Sequence, residues 1–371
     1  MREIPRLGVM NGPFPRRLES EMTDSRNTHE NPVESPVANP VEKPALPVEA
    51  RQAGAHTRVS AGRAASRPES TKAQLPKGTS ALRSPARRAS DDIRWSISQR
   101  MTDRDRSVIR DLKRFRVLTT PQLARLHFNS FKRASARLLF LHELKVLDRF
   151  RPIREHWGAH PWHWVVGPMG AAILAGERGE DPERASRRWR GERMLAYATG
   201  QRLAHLVGIN DLYVSLAAHA RRNETCLLDW LTESEAVEWT HGIVRPDAWG
   251  TWEDDGRRVE FFVEYDRGTE TLGRLVDKLD GYERFEAERG AIAWVLFAFT
   301  SGRREQTARR ALTAATVPVA TTWHPDPHDA VWLPLSAAGD RMRLAALADV
   351  PKPPEAVERA SNTMRAWRYE R

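Results

Sequence analysis

The stretch from Arg245 to Tyr282 contains three carboxylates, Asp247, Glu264 and Asp266, that could act together in catalysis. Asp247 follows a proline, and an apolar strand predicted from Val259 to Val263 runs into Glu264 and Asp266. A turn-rich spacer separates the two segments, so we expect the three carboxylates to converge at one strand end. Carboxylate oxygens suit Mg²⁺, which usually retains waters that can attack a phosphodiester. The pattern therefore predicts nuclease chemistry.

This stretch resembles the core of the PD-(D/E)xK nuclease superfamily, in which an Asp after Pro, an acidic residue on the next strand and a Lys two positions later hold metal and polarise the phosphate. Asp247 and Glu264 fit that pattern. Asp266 occupies the lysine position, and Lys278 on the following predicted helix is the natural substitute. The resemblance implies that Asp247, Glu264 and Lys278 are catalytic and that Mg²⁺ is the cofactor. It also implies an acidic ligand from the preceding helix, which makes the expected metal ligands Asp247, Glu264, Asp266 and Asp211.

A structural interpretation of the same residues stays open. Lys278 lies on a helix predicted from Thr269 to about Glu288 and is, in this interpretation, a solvated helix residue. Asp266 then helps to cap that helix, and Glu264 merely ends a strand. Asp211 becomes an aspartate on a helix surface.

The composition indicates a basic protein with a polyanionic partner. The 371 residues include 59 Lys and Arg against 49 Asp and Glu, a formal net charge of +10. The single cysteine, Cys226, excludes an internal disulfide framework and favours a reducing, cytoplasmic location. The sequence contains no apolar run of membrane-spanning length, so no membrane partner is expected. It also lacks the GxxxxGK[ST] pattern of a P-loop ATPase.

Three helices are predicted after residue 100, and their order is typical of a helix-turn-helix. Thr102 caps the first, Thr120-Pro121 begins the second, and Asn129-Ser130 restarts the chain into the third. A recognition helix in the third position presents basic side chains to the major groove. The residues expected to be exposed there are Lys132, Arg133 and Arg137.

Two predicted strands, Val146–Arg151 and Trp162–Val166, follow the third helix and form a wing. Arg151 and Arg154 are the basic residues that we expect to contact DNA from this wing. From residue 101 to 167 the chain has 14 Lys and Arg against 6 Asp and Glu, an excess of eight positive charges. Such concentration favours phosphate contact, because each neutralised phosphate releases counterions. A winged helix used only for protein contact stays an alternative.

The sequence predicts the α/β (α+β) class, with a disordered N-terminal tail, a winged helix-turn-helix and a restriction-endonuclease-like (PD-(D/E)xK) α/β domain. Residues 1–97 are poor in aromatics and rich in Pro and Ser, so they bury too little apolar area to offset chain entropy. The winged helix spans 98–167 and a connector 168–191. The nuclease-like domain spans 192–340, and a charged, irregular C-terminal tail spans 341–371.

Both halves together resemble the replication-relaxation family of bacterial plasmid and mobile-element proteins. The resemblance is carried by LTTPQLARLHF, by His205–Asp211, by Arg245–Ala248, and by FFVEYDRGTE with Lys278 and Tyr282 after it. It implies a protein that binds double-stranded plasmid DNA and serves replication or DNA relaxation, with a restriction-nuclease-like second domain. A Mg²⁺-dependent enzyme that nicks DNA is one function that such a protein could have. A non-catalytic DNA-binding factor with a degenerate nuclease-like domain stays open. So do a homodimer and contacts with replication or mobilisation proteins.

Overall fold

The computed structural model describes residues 95–97, 99–152, 160–189, 201–336 and 339–369. The predicted disordered tail lies outside the described residues as far as residue 94, and Arg154 of the predicted wing also lies outside them. Residues 95–97 are helical and Ile97 packs into the core, so helical structure begins before residue 101. Within the described ranges, no helix is both long and apolar enough to cross a membrane.

Three helices and a small sheet form the N-terminal part of the described chain. The helices are α1 (Asp103–Phe115), α2 (Thr120–His127) and α3 (Phe131–Glu143). The strands are β1 (Leu118–Thr119), β2 (Leu147–Phe150) and β3 (His163–Val166), which pair antiparallel in the order β1-β3-β2. Thr102 and Ser130 cap α1 and α3 as predicted, whereas Thr119 rather than Thr120 caps α2. Side chains that accept from the first free N–H groups explain why the helices begin at these residues.

Three further helices lead from this part to the large sheet. They are α4 (Pro168–Glu177), α5 (Pro182–Arg188) and α6 (Gln201–Ala220). Proline is the first residue of both α4 and α5. An N–H at this position would have no partner within the helix, so its absence costs no hydrogen bond. The long helix was predicted from about residue 192, but residues 190–200 lie outside the described ranges. Helix α6 contacts the N-terminal part directly. The buried side-chain amide of Asn210 donates to the backbone carbonyl of Val117 at 2.8 Å.

The large sheet has six strands in the order β4-β5-β6-β7-β8-β9. Strands β4 to β6 pair antiparallel, β6 to β8 pair parallel, and β9 returns antiparallel to β8. Asp255 and Gly256 both have positive φ in the β5–β6 turn, as the predicted tight hairpin requires. The strands are β4 (Cys226–Thr232), β5 (Ala248–Asp254), β6 (Arg257–Asp266), β7 (Trp294–Phe299), β8 (Val319–Thr322) and β9 (Leu333–Pro334).

Helices cover both faces of this sheet. The helices that join its strands are α7 (Glu233–Trp239), α8 (Leu272–Asp277), α9 (Leu279–Arg289) and α10 (Gly302–Ala311). Phe262 and Phe297 belong to the core on the side of α8 to α10, whereas Phe261 and Leu296 belong to the core that includes residues of α6. Strand β7 is buried along its whole length, as its continuous apolar sequence predicts.

Three features of this part differ from the expectations. Helix α7 was not predicted, although Thr232 and Glu235 form the capping box that announces it. The single helix expected from residue 269 to 288 is two helices, α8 and α9, which meet at Lys278 and begin after the cap Thr271. The prediction of irregular structure after residue 340 is wrong.

A helix near the C-terminus packs against the domain. A 3₁₀ helix (Leu344–Asp349) precedes α11 (Pro354–Tyr369). Arg359 of α11 donates to Glu286 of α9 at 2.6 Å, and the small Ala356 and Ala360 are buried. The charged composition suggested a solvated tail, but Arg359 pairs with the domain and two small apolar side chains of α11 are buried.

Edge strand β4 is covered from the N-terminal part. Arg114 of α1 donates to the backbone carbonyl of Trp230 and pairs with Glu235 at 3.0 Å. An exposed edge offers unpaired carbonyls to other chains, and this arginine occupies the carbonyl of Trp230 and ties α1 to the sheet.

Candidate functional site

Asp247 is positioned by the first pairs of the β5–β6 ladder. Its backbone N–H donates to the carbonyl of Val263 at 3.0 Å, and Ala248 is in register with Val263. The carboxylate Oδ2 accepts the backbone N–H of Tyr265 at 2.8 Å, which holds the side chain across the end of β6. Asp247 is therefore fixed beside Glu264 by backbone geometry.

Glu264 points from β6 towards the junction of α8 and α9. Its Oε2 accepts from Nζ of Lys278 at 2.8 Å, and its Oε1 accepts from the hydroxyl of Tyr282. Lys278 and Tyr282 are four residues apart and contact the same carboxylate, as neighbours on one helical face should. Lys278 also pairs with Glu270 at 3.1 Å. The structure thus brings Lys278 into contact with Glu264 and places Asp247 close enough for its charge to act on both groups.

The electrostatics of this cluster follow from its burial. The Glu264 residue is 2% exposed, and burial together with the nearby charge of Asp247 raises the pKa of its carboxyl to about 7. Burial disfavours the charged form of Lys278, but Glu264 and Asp247 outweigh that effect and raise the pKa of the ammonium. Burial and Glu264 raise the pKa of Tyr282 well above its ordinary value, so its hydroxyl stays a donor. Near neutral pH the Glu264 carboxyl therefore takes up a proton more readily than an exposed glutamate does.

His205 of α6 is a site residue whose contact the sequence did not reveal. Its Nε2 lies 2.8 Å from Oδ1 of Asp247, and its ring packs edge-on against Tyr265 with centroids 5.7 Å apart. Burial lowers the pKa of the imidazole, but the hydrogen bond and charge of Asp247 outweigh burial, so the pKa is raised. The side chain is 36% exposed, so it forms the solvent side of the cluster. The available signal was a histidine interrupting an apolar helix, which by itself identifies no partner.

Asp266 faces a different partner from Glu264. Its Oδ2 accepts from Nε of Arg304 at 2.6 Å and its Oδ1 from the N–H of Gly268 at 2.7 Å. Arg304 also donates to the carbonyl of Glu270 at 2.6 Å. The residue at the usual lysine position is therefore an aspartate neutralised by an arginine from α10.

Asp211 has its ion-pair partner in the N-terminal helices and not among the residues of the cluster. It sits six residues after His205 on α6, where its carboxylate pairs with Arg125 of α2 at 3.2 Å. That ion pair belongs to the contact between α6 and the N-terminal helices.

Asp247 and Glu264 are the carboxylates best placed to hold a divalent cation. Mg²⁺ is commonly bound by one or two carboxylates and keeps several waters, so these two oxygen donors fit it chemically. The raised pKa of Glu264 is consistent with a site that gains from added positive charge. Across the described residues, no group of three or more His, Cys, Asp or Glu side chains is arranged around a common metal position.

The basic residues expected to contact DNA have different environments. Lys132 and Arg133 are exposed in the first turn of α3, and Arg151 is exposed after β2, with its guanidinium 4.1 Å from the ring centre of Trp162. Arg137 was expected to be exposed, and this is wrong. Its guanidinium pairs with the fully buried Asp105 of α1, because the two helices pack closely and leave that carboxylate without water.

The described residues define an α/β protein in which a three-helix, three-strand N-terminal part is joined to a mixed six-stranded sheet carrying an Asp–Glu–Lys–His cluster. Residues 109–294, half of the chain, match the family model for replication-relaxation proteins. The chain therefore belongs to the replication-relaxation family, which confirms the resemblance seen in its sequence. Neither a curated protein nor a solved structure matches it significantly.

Proposed function

We propose that this protein binds double-stranded DNA during replication of a plasmid or mobile element and cuts one strand at the Asp247–Glu264–Lys278 cluster in the presence of Mg²⁺. The family supports a replication role. The observation that carries the catalytic part is the position of Lys278, whose Nζ lies 2.8 Å from Glu264 although it comes from the following helix. A lysine there replaces the one that Asp266 displaces from the strand.

The order of elements supports DNA binding by a winged helix. Helices α1 to α3 precede the β2–β3 hairpin, and β1 completes the small sheet, as in that class of module. Helix α3 would enter the major groove with Lys132 and Arg133 at its exposed N-terminal turn. Phosphate contacts of this kind supply affinity that does not depend on sequence.

Each residue of the cluster has its own role in the proposed cleavage of DNA. Asp247 and Glu264 would hold Mg²⁺, which when bound supplies a water of lowered pKa and positive charge near the phosphate. Lys278 would neutralise charge that develops on the phosphate oxygens. His205 and the N–H of Tyr265 hold both oxygens of Asp247, so that its carboxylate is oriented before DNA binds.

The non-catalytic alternative has an observation in its favour. Each oxygen of Asp247 and Glu264 already accepts a hydrogen bond, from His205, Tyr265, Lys278 and Tyr282. Such a cluster would also stabilise the packing of β5, β6 and α9 without any catalytic role. In that case the sheet domain would be a docking surface and the winged helix would carry the function.

Conversion of supercoiled plasmid to open circles in Mg²⁺ or Mn²⁺ tests the proposal. Asp247→Asn and Lys278→Met should each slow nicking by roughly 100-fold or more, because each removes a group that acts on the transition state. Asp211→Asn is the matched control and should nick at the wild-type rate, because Asp211 pairs with Arg125 and not with a residue of the cluster. Wild-type protein that binds plasmid but leaves it supercoiled with both metals would establish the non-catalytic alternative.

Thermal melting separates metal binding from catalysis. A cation that binds only the folded protein stabilises it by RT ln(1 + [L]/Kd), about 2.7 kcal/mol at a hundredfold excess over Kd. Asp247→Asn should abolish most of this effect, whereas Lys278→Met should keep it while losing nicking, because the lysine is not a ligand. A wild-type melting temperature that ignores Mg²⁺, Mn²⁺ and Ca²⁺ would contradict the metal assignment.

A further inference from the structure

A groove of about 280 Å³ separates helix α3 from the β2–β3 hairpin. One wall is a single stripe of α3, since Phe131, Ser135 and Leu139 follow one another at four-residue intervals. Phe131 is 58% exposed and Leu139 39% exposed. Two apolar side chains thus face solvent in the region where the proposed DNA interface lies.

The opposite wall consists of two arginines and the tryptophans across from them. Arg149 is in register with Trp164, and its guanidinium lies 3.9 Å from the ring centre of Trp162. Arg151 stacks on the same Trp162 ring at 4.1 Å. Within the described part of the chain, neither arginine forms an ion pair with a carboxylate, and none of the described lining residues is acidic. The hairpin wall is therefore planar, aromatic and positively charged.

The floor of the groove is rigid. Trp164 is 1% exposed, and its indole N–H donates to the hydroxyl of Thr120 at 2.8 Å. The backbone N–H of Thr120 in turn donates to the carbonyl of Trp162 at 3.0 Å, which ties α2 to the hairpin. These bonds fix the floor and the hairpin side of the groove relative to α2.

We propose that this groove binds one unpaired nucleobase of DNA, with the neighbouring phosphates on Arg149 and Arg151. A base offers a flat π face to Phe131 and to the planar guanidinium groups that cover Trp162. Its backbone offers negative charge, which the described part of the chain does not supply to these two arginines. An apolar protein side chain would satisfy the rings but not the arginines. The proposal rests on the proposed DNA-binding function and adds a preference for DNA in which a base has left the stack.

Fluorescence anisotropy of the full-length protein with three short DNAs tests this inference. The first is a fully paired duplex, the second carries one unpaired adenine as a bulge, and the third replaces that adenine with an abasic residue. The abasic DNA keeps the extra sugar and phosphate of the bulge and lacks only the base. We expect the adenine bulge to bind about tenfold more tightly than the other two, within the range of one stacked base. Quenching of 2-aminopurine placed at the bulge would report the stacking directly.

Variants then locate the effect in the groove. Phe131→Ala removes one wall, and Ser135→Trp fills the space while keeping every arginine. Both should reduce the ratio of bulged-DNA affinity to paired-DNA affinity to about one, and this ratio is the readout because α3 also contacts the paired duplex in the proposed function. Trp323→Ala is the matched control, because Trp323 is also an exposed aromatic, at 42%, but does not line the groove.

The outcomes distinguish this inference from the function on which it rests. Wild-type protein that binds none of the three DNAs would overturn the proposed DNA binding itself. Equal affinity for all three DNAs would overturn only the nucleobase site. A Phe131→Ala variant that keeps the full preference for the adenine bulge would also overturn it.

Discussion

Nζ of Lys278 lies 2.8 Å from Oε2 of Glu264, and 14 residues separate them in the chain. This pair joins the second strand of the β5–β6 hairpin to Lys278, the residue at which α8 and α9 meet. Tyr282, one turn later, reaches the other oxygen of the same carboxylate. The lysine position of the strand is thus free to carry Asp266, which Arg304 neutralises.

Protein stability should depend on pH through Glu264. The pKa of its carboxyl is about 7 in the folded protein against an ordinary 4.5, so between these values the folded state binds more protons than the unfolded chain. The resulting stabilisation is complete below about pH 4.5 and is lost as the pH rises through 7. Between pH 4.5 and 8, the free energy of unfolding should fall on the order of 2 kcal/mol more for wild type than for Glu264→Gln.

Glu286 provides a comparison for that experiment. Burial raises the pKa of its carboxyl to about 7, against the opposing hydrogen bond from Arg359. Glu286→Gln should therefore also reduce the change in the free energy of unfolding between pH 4.5 and 8. The double variant Glu264→Gln, Glu286→Gln should show the smallest change. Denaturant titrations at several pH values measure this, and parallel curves for wild type and Glu264→Gln would contradict the assignment.

Arg137 should matter for folding more than for DNA binding. Its partner Asp105 is fully buried, and hydrogen bonds from Arg137 and Thr102 outweigh burial and hold the pKa of that carboxyl below its ordinary range. Arg137→Ala leaves a buried charge without its cation, which should cost about 2–4 kcal/mol at pH 7. Urea unfolding measures the loss. The idea fails if Arg137→Ala melts like wild type but binds DNA much more weakly.

Lys132 and Arg133 should carry salt-dependent DNA affinity. Both are exposed at the start of α3, and each phosphate contact contributes roughly 0.9 to the slope of log K against log salt concentration. A Lys132→Ala, Arg133→Ala double variant should therefore reduce the slope by about 1.8. The control removes two exposed arginines, Arg284 and Arg310, from the helices around the large sheet and should keep the wild-type slope. Equal slopes for both double variants would place the interface elsewhere.

Helix α6 should tolerate no side chain at Gly208. A Cβ there would lie 2.2 Å from the ring of Tyr265, whose backbone N–H holds Asp247. Gly208→Ala should destabilise the protein by about 1–3 kcal/mol and impair any function of the cluster. The control is Gly273→Ala in α8, where a Cβ meets nothing within 4 Å and should stabilise by up to about 1 kcal/mol. Thermal unfolding compares the stabilities of the two variants. Equal changes in stability would show that α6 can shift to make room for a side chain beside Tyr265.

Local patterns in the sequence were sufficient for most helices, strands and caps. The apolar stripe of α1, the continuous apolar sequence of β7 and the Asp255-Gly256 turn depend on residues that are neighbours in the chain, so period and turn chemistry identify them. Helix α7 was predictable on the same grounds from its capping box. The packing of helix α11 was not predictable in this way, because it depends on a contact with the distant Glu286.

The sequence by itself predicted that Asp247, Glu264 and Lys278 meet, through the resemblance of this stretch to a nuclease core in which the lysine can come from the following helix. Only the tertiary structure decided that His205 holds Asp247 and that Arg304 neutralises Asp266, across 42 and 38 residues. Those pairs depend on where α6 and α10 lie over the sheet and on the register of β5 with β6. Helix period and strand alternation say which face a side chain takes but not which distant residue meets it, since that choice is made by packing of the whole core.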